Sequence, residues 1–160
     1  MARAALALAA TVLLGTAAPA QQPEGELGWL HGRWAGRGTV HGAPSEATLE
    51  VAPALGGRFV ELRYAFATTG ERPLRFQGRG FYRAEGEAWR GQWFDSTGAT
   101  RPLAATVAGT TLTTQWGDAA TEQGRTTYRR EASGALEVTD EVLRRDGQWH
   151  VFASHRMTRQ

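Results

Sequence analysis

The sequence predicts an all-β protein, an antiparallel up-and-down barrel of about ten strands behind a short N-terminal helix. Three observations predict it. Beyond residue 20, apolar and polar residues alternate with a period of two in run after run. Glycine-centred turns separate the runs at near-regular intervals. No long crossover or Greek-key connection interrupts them, and a meander of this many strands hides its edges by closing on itself.

Residues 1–20 read as an export leader. Arg3 supplies a short positive region, Ala4 to Leu14 an apolar one, and Ala18-Pro19-Ala20 the small-x-small cleavage pattern. The apolar run is too short to span a bilayer core. The expectation is a periplasmic or secreted protein cleaved near Ala20, with residues 21–160 forming one barrel domain and no membrane span in the mature chain. The chain has no cysteine, which excludes disulfides and a lipid-modified cysteine anchor, so its core alone must hold it together. All 18 basic residues are arginine, set against 16 acidic ones, and the formal net charge of +2 includes Arg3 of the leader. The two signs are interspersed with no basic stripe, which argues against a nucleic-acid partner.

The elements follow in order. Glu24–Leu30 is the one helical segment and is placed to close an end of the barrel. The first strand carries Gly32-Arg33-Trp34-Ala35-Gly36-Arg37-Gly38. Val60, Leu62, Tyr64 and Phe66 alternate with Glu61, Arg63 and Ala65. Leu74, Phe76, Gly78, Gly80 and Tyr82 alternate with Arg75, Gln77, Arg79 and Arg83. Trp89 and Trp93 follow, then Leu112, Thr114 and Trp116, then Leu136, Val138, Asp140 and Val142. In the last strand Trp149, Val151, Ala153, His155 and Met157 share one face by strict alternation. The breaks are Gly56-Gly57, Thr69-Gly70, Glu85-Gly86, Thr97-Gly98, Ala108-Gly109, Ser133-Gly134 and Asp146-Gly147.

Several residues stand out on the face that ought to be dry. Gly36, Gly38, Gly78 and Gly80 leave space there, for a ligand or for rings such as Trp89 and Trp93. Asp140 lies mid-strand among apolar neighbours, and a buried carboxylate needs a partner. Tyr64, Tyr82, Tyr128 and Thr126 point the same way. Asp95 opens Asp95-Ser96-Thr97-Gly98, which reads as a turn that arginines and backbone amides would satisfy. His155 on an apolar face reads as a satisfied core histidine. No catalytic residue is identified: nucleophile elbows, paired catalytic carboxylates, phosphate loops and redox cysteines are all missing. No histidine pair has metal-site spacing, so no metal is expected.

The chain resembles a bacterial, secreted lipocalin-like family of unknown function. The resemblance runs through Trp29-Leu30 with Gly32-Arg33-Trp34-Ala35-Gly36, Leu55-Gly56-Gly57-Arg58-Phe59-Val60, Gly80-Phe81-Tyr82, Trp93-Phe94-Asp95-Ser96, Asp146-Gly147-Gln148-Trp149 and His155-Arg156-Met157-Thr158-Arg159. It implies a calycin-like barrel and no established reaction. It also implies a structural plug, Trp34 of the first strand packed beneath Arg156 or Arg159 of the last. A second, more distant resemblance is to nitrobindin-like haem barrels, whose opening stretch Gly32, Trp34, Gly36 and Gly38 match. Those barrels ligate haem through a histidine of a C-terminal strand, which implies His150 or His155 here.

The leading expectation is a non-enzymatic barrel holding a small, partly apolar ligand, without a cofactor, in a site made by Tyr64, Tyr82, Trp89, Trp93, Tyr128, Asp140 and His155. One alternative is a nitrobindin-like peroxynitrite isomerase binding haem through His155. The other is a structural or interaction protein of the envelope with a filled core.

Overall fold

A computed structural model describes residues 24–160, so the expected leader lies outside the described residues. A helical turn, α1 (Glu24–Leu27), precedes ten strands: β1 (Gly32–Val40), β2 (Ala43–Ala54), β3 (Phe59–Thr68), β4 (Arg75–Glu85), β5 (Ala88–Asp95), β6 (Thr100–Ala108), β7 (Thr111–Trp116), β8 (Gly124–Arg130), β9 (Leu136–Leu143) and β10 (Trp149–Arg159). Each strand pairs antiparallel with its neighbours in sequence, and β1 pairs with β10 to close the barrel. The closing register runs from Trp34 opposite Arg159 to Val40 opposite Ala153. The predicted all-β meander is therefore the observed fold. Among the described residues no helix is long and apolar enough to cross a membrane.

Closure gives the two ends different characters. At one end Leu27 and Leu30 are fully buried against the core with Trp34, so the helical turn and the residues after it stopper the barrel. The Trp34 indole donates to the Leu30 carbonyl at 2.9 Å, and the Arg159 guanidinium lies 4.5 Å from its ring. Arg159 also donates to the carbonyls of His31 and Trp29, tying the last strand to the plug. Arg156, the other expected partner, points outward to Glu131. Its strand position is one of the opposite parity to Met157 and His155, so alternation sends it to solvent.

One expectation about β10 is corrected. Trp149 and Val151 are exposed, at 36% and 50%, while Ala153, His155 and Met157 are buried. The register shifts between Val151 and Ala153, a bulge that inserts Phe152 and reverses which parity faces inward. Trp149 lies on the outside, where the Arg125 guanidinium covers its ring at 4.5 Å.

The inward glycines have two separate causes. A Cβ at Gly36 or Gly38 would collide with the β10 backbone, so these positions permit close approach of the closing strands. A Cβ at Gly78 would strike the ring of Trp93, and one at Gly80 would crowd Trp93 and Tyr82. Those two are covered by an aromatic ring, and the ring is that of Trp93, not Trp89.

Candidate functional site

The end opposite the plug is hollow. A cavity of about 280 Å³ opens between the β1–β2, β3–β4, β5–β6 and β7–β8 connections. Its walls are Phe66, Phe76, Trp93, Trp116 and Leu103. Phe66 and Phe76 stack at 5.1 Å, and Phe76 and Trp93 at 6.4 Å, making a continuous aromatic wall. The floor is polar: Tyr64, Tyr82, Thr114, Thr126, Tyr128 and Asp140. Strand alternation delivers each of them inward, and Asp140 sits in register with Thr126 of β8 and Ala153 of β10.

Asp140 is the focus of this floor. It is 5% exposed. Thr126 Oγ1 donates to its Oδ1 at 2.6 Å, and the Tyr64 hydroxyl donates to its Oδ2 at 3.3 Å. Each donor is itself supported. Trp116 Nε1 donates to Thr126 Oγ1 at 3.3 Å. The Tyr64 oxygen lies 2.9 Å from His155 Nδ1, and His155 Nε2 lies 2.7 Å from Ser45 Oγ. With the Tyr64 proton directed at Asp140, Nδ1–H donates to Tyr64 and Nε2 accepts from Ser45. This assignment satisfies every member of the chain with a neutral imidazole. Two lines of donors, Ser45–His155–Tyr64 and Trp116–Thr126, thus converge on one carboxylate.

Burial governs the titrations here. Desolvation pushes the Asp140 carboxyl up to about 6, with the Thr126 and Tyr64 hydrogen bonds opposing it. Burial raises Tyr64 and Tyr128 well above the usual phenol range and Tyr82 to about 12, so all three stay protonated donors. Burial lowers His155, consistent with a neutral ring. Among the described residues no cationic side chain pairs with Asp140. Tyr82 donates weakly to Thr114 at 3.4 Å.

The rim is a separate cluster. Arg101 reaches Asp95 at 3.2 Å and Glu122 at 3.7 Å, and its guanidinium lies 5.5 Å from the Trp116 ring. Its Nε is buried without a hydrogen-bond partner. Asp95 also accepts from the Thr97 amide, which is the turn chemistry expected of it. His41 holds a left-handed backbone (φ 50°) and stacks on Phe152 at 5.5 Å across the mouth.

Of the expected site residues, Tyr64, Tyr82, Trp93, Tyr128 and Asp140 meet around this cavity. Trp89 does not: it is buried at the plugged end, where its indole donates to Glu26 at 3.0 Å. His155 does not line the cavity either; it stands behind Tyr64 with both ring nitrogens engaged. His150 is exposed near the start of β10 and is not among the cavity's lining residues. As placed, His155 has no free ring nitrogen to offer a haem. Among the described residues no group of three acidic or histidine side chains is arranged to hold a metal ion. Sequence reasoning missed Ser45, although the alternation of Ala47, Leu49 and Val51 extended backwards reaches it. It also missed the rim residues His41, Arg101 and Glu122, which lie at strand ends and in loops where period-two patterning carries no signal.

No protein-family model matches the chain, and no curated protein matches it. Solved structures do. The chain is similar to Rv2717c from M. tuberculosis at a TM-score of 0.66 and 16% identity, over 86% of this chain and 96% of that one. The likeness shows the fold, a closed antiparallel barrel.

Proposed function

We propose that the protein is a binding barrel, exported after cleavage near Ala20, that holds a small, partly apolar ligand in the cavity above Asp140. The observation that carries this reading is the convergence of polar groups on the floor of an aromatic-walled cavity. Ligand sites are typically apolar hollows with a few convergent polar groups, of roughly 300–1,000 Å³. A cavity of about 280 Å³ suits a ligand at the small end of that range. A broader groove of about 540 Å³ on the outer face, near Arg63, Arg79 and Phe94, has no such focus.

The hollow speaks against the filled-core alternative. The haem alternative asks His155 Nε2 to leave Ser45 and a larger group to enter the barrel. Native mass spectrometry of protein purified from its host tests the proposal. The expected result is a non-covalent adduct of small-molecule mass, released on denaturation. Protein at the bare mass that takes up nothing from a host extract overturns it. The same spectrum reports the export reading, since a mature chain beginning after Ala20 is expected and an intact leader contradicts it.

A further inference from the structure

The floor of the cavity carries a charge that the protein leaves uncompensated. Asp140 accepts from neutral donors, Thr126 and Tyr64, and among the described residues no arginine pairs with it. Its oxygens keep lone pairs beyond the two hydrogen bonds they accept. The cations of the cavity lie at the rim, where Arg101 is already held between Asp95 and Glu122. Counting Arg75 as well, the lining holds Asp95, Glu122 and Asp140 against Arg75 and Arg101, one carboxylate in excess. Around the deep carboxylate stand the rings of Tyr64, Tyr82 and Tyr128, with Trp93 above. Electron-rich ring faces favour a cation, more strongly in a desolvated site. A buried anion without a partner is costly and is stabilised when a ligand supplies one.

Resting on the binding reading above, we propose that the ligand is a compact organic cation, an ammonium or amidinium on an aromatic or apolar body, with Asp140 as its counter-ion. The cationic N–H donates to the free lone pairs of Asp140. The tyrosine rings surround the charge, and the Phe66–Phe76–Trp93 wall takes the apolar body. The titratable groups facing Asp140 are Tyr64 from β3, Tyr82 from β4 and Tyr128 from β8. His155 of β10 acts through Tyr64.

The test is calorimetric titration of the full chain with three matched probes: benzylamine, benzyl alcohol and benzoate. At pH 8 the amine is expected to bind on the order of tenfold more tightly than the alcohol, as a charge-assisted hydrogen bond exceeds a neutral one. Benzoate is expected not to bind. Lowering the pH to 5 protonates Asp140, and the preference for the amine, which stays charged, should disappear. Asp140→Asn should lose the preference at both pH values, and Arg156→Ala, whose side chain pairs with Glu131 outside the cavity, should keep it. Alcohol or benzoate binding as tightly as the amine overturns the cation assignment but leaves the binding barrel standing, as does a neutral or acidic adduct released from host protein. No binding by any probe, together with host protein at its bare mass, overturns the binding reading itself.

Discussion

The Tyr64 hydroxyl stands between two buried groups, donating to Asp140 Oδ2 at 3.3 Å and lying 2.9 Å from His155 Nδ1. One phenol of β3 therefore couples a carboxylate of β9 to an imidazole of β10 across the barrel. Tyr64→Phe removes both bonds and leaves His155 Nδ1–H without an acceptor. Stability is expected to fall by roughly 1–3 kcal/mol, the cost of leaving a buried polar group unsatisfied. Guanidinium unfolding measures it. A change within about 0.5 kcal/mol, as for an ordinary surface substitution, would mean that the chain does not exist in solution.

Asp140 makes stability depend on pH. Its folded pKa of about 6 lies above the ordinary 3.8. The folded protein therefore holds this proton more tightly than the unfolded chain does. The resulting stability is fully present below the unfolded value and is lost as pH rises through about 6. The amount is on the order of 3 kcal/mol. Asp140→Asn lacks this titration, so the variant should gain stability relative to wild type between pH 4 and pH 8. Denaturant midpoints at both pH values check it, and an unchanged difference contradicts the burial of the charge.

The plug predicts a contrast between two arginines of one strand. Arg159 lies over Trp34 and holds two carbonyls of the entering chain, whereas Arg156 makes an exposed pair with Glu131. Arg159→Ala should cost about 1–2 kcal/mol, and Arg156→Ala at most about 1 kcal/mol. Trp34→Ala, which empties the plugged end, should cost about 3–5 kcal/mol. Thermal unfolding of the three variants orders them, and equal losses for the two arginines would contradict the assignment.

Gly78 supports the wall by lacking a side chain. A Cβ there meets the Trp93 ring, so Gly78→Ala should displace the indole, destabilise by about 1–3 kcal/mol and alter tryptophan fluorescence. Unchanged emission and stability would contradict the packing.

Haem gives a visible outcome. With Ser45 and Tyr64 engaging both nitrogens of His155, added haem should produce no histidine-ligated Soret band. A band in wild type that vanishes in His155→Ala would contradict the placement of that ring.

The fold was largely legible in the sequence because period-two alternation reports which side of a sheet a residue faces. Leu136, Val138 and Asp140 face inward as their spacing requires. Alternation reports the face but not the height along the barrel axis. Trp89 and Trp93 share a face, yet one packs at the plug and the other walls the cavity. A bulge is invisible to the same reading, so one inserted residue, Phe152, turned Trp149 and Val151 outward. The hydrogen bonds around Asp140 were not legible because their members come from β2, β3, β7, β8 and β10, and only closure of the barrel brings them together.

Asp140 is a buried carboxylate without a cationic partner among the described residues, and its carboxyl carbon reports directly on the proposed binding of a cation. Its ¹³C shift should titrate near 6 in the free protein and move to a lower midpoint when a cationic ligand saturates the cavity. A midpoint in the ordinary carboxylate range, with no response to any ligand, would contradict the account.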